Sequence, residues 1–184
     1  TVLGCGSSAG VPRPNGDWGA CDPTNPKNHR TRASILFEQI ADDGGRTSIV
    51  FDTGPDFRQQ MIRASVSQID AIVYTHGHAD HIHGIDDVRS FVLSQGQMLP
   101  AYADDATYDR LTEAFDYIFS TPDGSFYPPI LVRQQIAAGK KFTINGDGGN
   151  VELLPIYQDH GGIYSLGFRI GNFAYCPDVS GLPD

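Results

Sequence analysis

Hydrophobic and polar positions in the first half of the chain follow two different periods. Residues 34–39 and 47–52 are mostly apolar or β-branched, and the Asp-Asp-Gly-Gly turn at 42–45 between them predicts a β-hairpin. From residue 55 to 66 the apolar positions recur at roughly helical spacing, and residues 69–74 form an apolar run typical of a buried strand. The first half is therefore predicted to combine strands with a helix.

The second half of the chain has one clear helical pattern, followed by strands. The helix predicted over residues 105–119 has an apolar face formed by Leu111, Ala114, Phe115 and Ile118. Residues 151–157 predict a strand, and residues 165–170 and 173–176 predict two more around Gly171-Asn172, a two-residue connection suited to positive φ. Together with the first half, this order predicts an α/β fold.

Length and composition are those of one globular domain. A chain of 184 residues can bury a hydrophobic core without disulfides, so residues 1–184 are predicted to form a single domain. No apolar run approaches the roughly 20 residues of a membrane helix. The amino terminus has neither the basic nor the apolar region of a secretory signal, and the three cysteines are scattered. A soluble, cytoplasmic protein with reduced thiols and no membrane attachment is expected.

Charge and histidine content narrow the range of partners. The formal net charge of −9 argues against binding of extended nucleic acid, because that affinity comes from cationic side chains that neutralise phosphates. A metal site can still attract a single phosphate group. Four of the six histidines lie between positions 76 and 83. The expected partner is therefore a small phosphate-containing substrate or nucleotide, and the sequence leaves the oligomeric state open.

The histidine cluster directly follows the predicted buried strand 69–74. In an extended segment His76 and His78 project to the same side, so both imidazoles can reach one ion. Asp80 and His81 turn into the next element and can address a second ion. This H-x-H-x-D-H pattern at a strand end predicts two adjacent divalent ions.

A catalytic metal site needs further ligands from distant parts of the chain. His160 follows the predicted strand 151–157 and is the only histidine in the second half, so it is expected to complete the first site. Asp178 stands just past the predicted strand 173–176, where its carboxylate can bridge both ions. Zinc suits histidine and carboxylate ligands, and manganese or iron fits the same set.

This ligand pattern resembles that of the metallo-β-lactamase superfamily. The resemblance rests on H-x-H-x-D-H followed by His160 and Asp178, with the strand 49–52 ahead of them. The segment 3–12, Leu-Gly-Cys-Gly-Ser-Ser-Ala-Gly-Val-Pro, is similar to the opening of the phosphodiesterase branch, which includes ribonuclease Z and the cyclic phosphodiesterase of phosphonate breakdown. The resemblance implies an α/β fold in the form of a four-layer αβ/βα sandwich, with the metals at one edge between the two sheets.

The same resemblance assigns residues to the site. It divides six ligands between two ions: His76, His78 and His160 on the first, Asp80 and His81 on the second, and Asp178 bridging them. Asp52 is implied to support the ligands from behind. The family usually supplies one more histidine near its carboxyl end, whereas no histidine follows His160 before the chain ends at Asp184. The fold is therefore expected to be truncated there, and the second ion to lack a ligand.

Hydrolysis is the reaction that the resemblance implies. A hydroxide held between the ions would attack phosphorus, with Asp80 as the catalytic residue that orients it and accepts its proton. A phosphodiesterase acting on a small cyclic phosphate or nucleotide is the first hypothesis, because the net charge is negative. Three alternatives stay open: a ribonuclease Z-like tRNA nuclease, a thioester or lactam hydrolase, and a noncatalytic metal-binding remnant.

Residues outside this ligand pattern have expected roles of their own. Residues 11–33 are rich in Pro, Asn and Gly and predict a long surface loop, in which Trp18 is a candidate substrate-facing aromatic. The only cysteine of this loop is Cys21, so no structural zinc is predicted there. Arg89 is a candidate contact for a substrate phosphate. His83 matches no ligand position and is expected at the surface or behind the ligands.

Overall fold

Two β-sheets form the framework of the computed structural model, which describes residues 1–182. Pro183 and Asp184 lie outside the described residues, and so does the point at which the fold is predicted to be truncated. The first sheet has six strands, β1 to β6 in spatial order, which are Val2–Gly4, Ser34–Ile40, Arg46–Phe51, Ala71–Val73, Leu99–Ala103 and Leu131–Gln135. The second sheet has the order β10-β9-β8-β7, where β7 to β10 are Phe142–Ile144, Val151–His160, Ile163–Ile170 and Phe173–Tyr175.

Helices connect the strands of the first sheet. The α-helices of the described chain are α1 Phe57–Arg63, α2 Ala79–Ile82, α3 Arg89–Gln95 and α4 Asp105–Phe119, and short 3-10 helices lie at Pro26–Asn28 and Ile85–Val88. Helix α4 is capped by Asp104, whose side chain accepts a hydrogen bond of 2.9 Å from Thr107 N. None of the helices in residues 1–182 combines the length and apolar character needed to cross a membrane.

Strand direction explains where the connecting loops gather. Strands β3, β4, β5 and β6 run parallel to one another, whereas the other pairs in both sheets are antiparallel. Parallel neighbours require a crossover, which α1 supplies between β3 and β4 and α4 supplies between β5 and β6. The carboxyl ends of β3 and β4 therefore meet at the same edge of the first sheet.

Two hydrophobic cores lie on opposite faces of the first sheet. Along β3, Val50 points toward the helices, while Ile49 and Phe51 point toward the second sheet. The core between the sheets includes Leu166 and Phe168 of β9 and, within residues 1–182, contains no helical residue. Residues 1–182 therefore form three layers, which are helices, a six-stranded sheet and a four-stranded sheet, of the four layers expected from the sequence.

The observed boundaries of helices and strands agree best with the predicted ones where the sequence pattern is long. The β2–β3 hairpin and α4 lie within about one residue of their predicted bounds. The strand predicted over 69–74 is reduced to the three residues of β4, and the helix predicted over 55–66 is shorter, since Ser65 has a φ of 55° beyond its end. The single-domain organisation over residues 1–184 stays a prediction.

Candidate metal centre

The loop after β3 packs against α2, the short helix that contains His81. Asp52 N donates a hydrogen bond of 2.9 Å to the Val73 carbonyl at the end of β4. Thr53 N donates to the His81 carbonyl (2.8 Å), and Gly84 N donates to the Thr53 carbonyl (2.7 Å). These bonds fix α2 relative to the ends of both parallel strands.

Two close backbone contacts, one from the side of each sheet, support residues 75–81, which we call the histidine loop. On the side of the first sheet, Gly54 lies so near α2 that a Cβ added to it would stand 2.1 Å from the Asp80 carbonyl oxygen. On the side of the second sheet, Leu166 N in β9 donates a hydrogen bond of 2.8 Å to the Thr75 carbonyl. The loop is therefore supported by elements that are far apart in the sequence.

A buried carboxylate organises the side chains of this loop. Asp52 is fully buried and accepts hydrogen bonds from Thr75 N (2.8 Å), Thr75 Oγ1 (2.9 Å) and His81 Nδ1 (2.8 Å). Its φ is 63°, in the left-handed region where Asp and Asn are several-fold enriched among non-glycine residues. Asp52 thus lies behind the histidines, as expected from the sequence.

Hydrogen bonding determines which nitrogen of each buried histidine can bind a metal. Because the Thr75 hydroxyl donates to Asp52, its oxygen is left to accept from His76 Nδ1, at 3.0 Å. His81 Nδ1 donates to Asp52 directly. With neutral rings, Nε2 then carries the lone pair in both residues, which is the arrangement that suits metal ligands.

Five of the six expected ligands form two adjacent groups that share one histidine. The first group is His76, His78 and His160, and the second is His76, His81 and Asp178; in each, the ligand atoms lie within 4.8 Å of one another. In the first group His160 Nε2 is 3.3 Å from His78 Nδ1. His160 is the last residue of β8, and Asp178 follows β10 with a φ of 49°. The histidine loop and the second sheet thus contribute to one cluster.

Asp80, the sixth expected ligand, lies at the border of the second group. Its Oδ2 is 3.5 Å from His81 Nε2, and its side chain is 15% exposed. Asp178 lies nearer to the same ring, with its Oδ2 at 2.8 Å from His81 Nε2. The structure therefore places both carboxylates beside His81, and the division of ligands between two ions stays a prediction.

Two buried atoms at the centre of the cluster lack a hydrogen-bond partner within the described residues. They are His76 Nε2 and Asp178 Oδ2, the latter being near His81 Nε2 without the angle of a hydrogen bond. Unpaired buried polar atoms cost about 1–3 kcal/mol each. A divalent cation would satisfy both lone pairs, and histidine nitrogens with carboxylate oxygens are ligands that zinc, manganese and iron accept. The residues present therefore fit a metal.

Burial and neighbouring charges shift the ionisation of the cluster. Burial, together with the charges of His81 and His78, lowers the pKa of His76 to about 3, so this ring is neutral and able to act as a ligand. At His81 burial opposes protonation, but the charges and contacts of Asp52 and Asp178 raise its pKa to about 10. Contact with the His81 ring lowers the pKa of Asp178, against the effect of burial. The two carboxylates thus favour a positive charge at this point.

A cleft of about 330 Å³ opens beside the first group of expected metal ligands, which we call the first donor group. His76, Gly77 and His78 lie at one end of it, and its walls include Arg110 of α4 with Tyr157 and Tyr164 of the β8–β9 hairpin. The sequence pattern does not single out these three wall residues. Their proximity depends on how α4 lies relative to the second sheet, for which no local motif exists.

Trp18, Arg89 and His83, whose roles were discussed from the sequence pattern, do not line this cleft. Trp18 packs edge-to-face against His29 within its own loop, with ring centroids 4.8 Å apart, and does not line the cleft. Arg89 pairs with Asp86 at 2.9 Å and lines a separate cavity, so its contact with a substrate phosphate stays a prediction. His83 is exposed, as expected.

The fold and the histidine cluster define a protein of the metallo-β-lactamase fold class. Residues 47–184 match the family described as the beta-lactamase superfamily domain, and the chain belongs to this superfamily. The fold class and the family expected from the sequence are thereby confirmed. Binding of divalent metal follows from the fold together with the histidine cluster.

Solved structures share this fold. One, described as a new diphosphatase from the PhnP family, is 35% identical and has a TM-score of 0.82, covering 100% of this chain and 66% of its own. Zinc-bound PqqB from Methylobacterium extorquens is 20% identical with a TM-score of 0.62, covering 94% of this chain and 62% of its own. YhfI from Bacillus subtilis is 19% identical with a TM-score of 0.59, covering 95% of this chain and 59% of its own.

One curated relative is named as a transferase and not as a phosphatase. It is an octanoyltransferase from Porphyromonas gingivalis (strain ATCC BAA-308 / W83), 31% identical over 98% of this chain. This chain spans only 35% of that protein and 66% of the PhnP-family diphosphatase. The fold is therefore shared over nearly the whole chain, whereas both relatives are longer proteins.

Proposed function

We propose that this protein is a binuclear metal-dependent phosphodiesterase that hydrolyses a small cyclic phosphate or nucleotide. The observation that carries the proposal is the pair of donor groups sharing His76 beside an open cleft. Two divalent ions held there would polarise phosphoryl oxygens and lower the pKa of a bound water. A net charge of −9 leaves little attraction for extended nucleic acid, which favours a small substrate.

The proposed ligand set keeps the division expected from the family. We assign the residues as follows: His76, His78 and His160 to one ion, Asp80 and His81 to the other, and Asp178 to both. Asp52 acts through the ligands, because its hydrogen bonds to His81 and Thr75 hold two imidazoles in place. The unpaired Nε2 of His76 and Oδ2 of Asp178 support this set.

Asp80 is the catalytic residue in this proposal. Its carboxylate lies beside His81 and keeps 15% of its side chain exposed, so a water molecule can reach it. In this role Asp80 orients the attacking water and accepts its proton. The oxygen then attacks phosphorus in line with the leaving oxygen.

A second candidate is hydrolysis of a diphosphate linkage. It is supported by the 35% identical structure described as a diphosphatase, of which this chain spans 66%. Both reactions break a P–O bond by attack of water, so the same donor groups serve either one. The two candidates differ only in the group that leaves.

Hydrolysis of bis(p-nitrophenyl) phosphate by the purified chain tests the first proposal. We expect turnover with zinc or manganese, loss of turnover after chelation, and recovery when the metal is restored. Asp80→Asn should lower kcat by at least about 100-fold, because general acid–base catalysis contributes roughly 10²–10⁴-fold. His83→Asn is the matched control, since His83 lies in the same loop with an exposed side chain, and it should keep wild-type activity.

Assays with four other substrates distinguish between the candidate reactions. A dinucleotide with a diphosphate bridge reports on the second candidate, precursor tRNA on a ribonuclease Z-like activity, and a chromogenic lactam and an octanoyl thioester on acyl chemistry. Turnover of the lactam or thioester with no phosphodiester hydrolysis would contradict the proposal. Full activity of Asp80→Asn would contradict the role given to that residue.

A further inference from the structure

The cleft beside the donor groups has two chemically different walls. One wall is the first turns of α4, including Thr107 and Arg110, and the other is the β8–β9 hairpin, including Tyr157, Ile163 and Tyr164. Its volume of about 330 Å³ is at the lower end of the roughly 300–1,000 Å³ found for small-molecule pockets. A compact ligand therefore fits this cleft better than a polymer does.

Arg110 brings a positive charge close to the donor groups. Its stem passes over Gly77, where an added Cβ would stand 2.9 Å from both Cβ and Cγ of Arg110. The guanidinium pairs with Glu113 of the same helix, and the Arg110 side chain is 59% exposed. Exposed pairs of this kind have little net strength, so the guanidinium can turn toward an anionic ligand. Its planar set of donors matches a phosphate.

Tyr157 and Tyr164 form an aromatic patch on the opposite wall. Tyr157 pairs with Leu166 across β8 and β9, so Tyr164 is its diagonal neighbour on the same face. The two ring centroids are 5.6 Å apart. Tyr157 is 46% exposed and Tyr164 is 68% exposed, and neither belongs to a hydrophobic core. Exposed aromatic rings beside a binding site are surfaces on which a planar group can stack.

We propose that this cleft binds the nucleoside of a nucleotide substrate, with the base against Tyr157 and Tyr164 and a phosphate near Arg110. The inference rests on the proposed phosphodiesterase function and specifies its substrate class. A sugar phosphate without a base would leave the tyrosine patch without a partner. A nucleotide matches all three features of the cleft. Its base can stack on the tyrosines, its negative charge can pair with Arg110, and its phosphoryl group can lie beside His76 and His78.

Two phosphodiesters with the same leaving group test this inference: the p-nitrophenyl ester of thymidine 5′-phosphate and methyl p-nitrophenyl phosphate. The wild-type KM should be about tenfold lower for the nucleoside ester, the scale expected for stacking of one base. Tyr164→Leu should remove most of this KM advantage, and Tyr164→Phe should retain it. Tyr127→Leu is the control, because Tyr127 is 74% exposed and lines a separate cavity.

Calorimetric binding of thymidine 5′-monophosphate and deoxyribose 5-phosphate gives a readout independent of turnover. The nucleotide should bind about tenfold more tightly to the wild type and to Tyr164→Phe, but not to Tyr164→Leu. Equal KM values for the two esters, or an advantage that survives Tyr164→Leu, would overturn the nucleoside assignment while leaving the phosphodiesterase proposal intact. Absence of turnover with both esters, together with selective nucleotide binding, would overturn the proposed function and support the assignment of the cleft.

Discussion

Each buried histidine of the site is oriented through Asp52, directly for His81 and through the Thr75 hydroxyl for His76. Partners of this kind set the tautomer and the ring orientation of metal ligands. Asp52 is fully buried, so water cannot easily take its place. The metal affinity of the site therefore depends on a residue that is not itself expected to bind an ion.

Asp52→Asn tests this dependence without straining the backbone, since Asn also tolerates the φ of 63°. The amide nitrogen cannot accept the bonds from Thr75 and His81, so we expect a loss of about 1–3 kcal/mol in the free energy of unfolding. Zinc affinity should fall about 10–100-fold. Urea unfolding and calorimetric titration measure the two effects. Asp42→Asn, in the exposed β2–β3 turn, is the control, and equal zinc affinity in both variants would contradict the account.

The residues of the site differ in how far the sequence could predict them. The histidine loop is a local motif, because spacing alone places His76 and His78 on one side of an extended segment. His160 and Asp178 required the further argument that strand ends gather at one edge. Arg110 and Tyr164 could not be predicted, because α4 and β9 come to line the same cleft only through the packing of the whole fold.

At the scale of elements, the closest approach in the site is that of the loop after β3 to α2. A Cβ on Gly54 would stand 2.1 Å from the Asp80 carbonyl oxygen, and one on Gly84 would stand 2.2 Å from the Gly54 carbonyl oxygen. Backbone atoms cannot move aside as a flexible side chain can. The position of α2, and with it that of Asp80 and His81, therefore requires glycine on both sides.

Gly54→Ala should push α2 away from β3. We expect a loss of about 1–3 kcal/mol in the free energy of unfolding, as for other overpacked sites, and weaker zinc binding because Asp80 and His81 move. Thermal unfolding and zinc titration are the measurements. Gly162→Ala is the matched control, since an added Cβ meets nothing within 4 Å and φ there is not positive. Unchanged stability and zinc binding in Gly54→Ala would show that the contact is not restrictive.

Elements with a long period-2 or helical pattern were predicted close to their observed bounds, whereas some short ones were predicted too long or not at all. Helix α4 has a capping residue and an apolar face, and the β2–β3 hairpin has a clear turn. Strand β4 has only three residues of the six predicted, and β7, which also has three residues and is too short to establish a period, was not predicted. The kink in α4, where Phe115 has a φ of −140°, left no signal in the apolar pattern.

At the scale of the whole molecule, the site forms only when the two sheets pack together. His76, His78 and His81 follow the first sheet, whereas His160 and Asp178 belong to the second sheet or its end. A ligand that binds such a site in the folded state alone must stabilise the fold. Metal binding and folding are therefore expected to be linked.

Metal removal should consequently destabilise the protein. With free zinc at 100 times its Kd, the free energy of unfolding should be about 2.7 kcal/mol higher per bound ion than in chelator. Urea unfolding in both conditions measures the difference. His29→Ala, which removes a histidine from the 11–33 loop, should show the same gain, and His81→Ala should lose about half of it, because His81 is assigned to one of the two ions. A wild-type protein with equal stability in zinc and in chelator would contradict the linkage.

The number of metal ions bound per chain, measured by elemental analysis after equilibration with zinc and dialysis, shows whether the site is binuclear. Because the proposed ligand set gives His76 and His160 to the first ion and His81 to the second, we expect about two ions in the wild type and in His83→Ala. About one ion should remain in His160→Ala and in His76→Ala. A wild type that holds one ion or none, or a His76→Ala variant that still holds two, would contradict a binuclear centre built around His76.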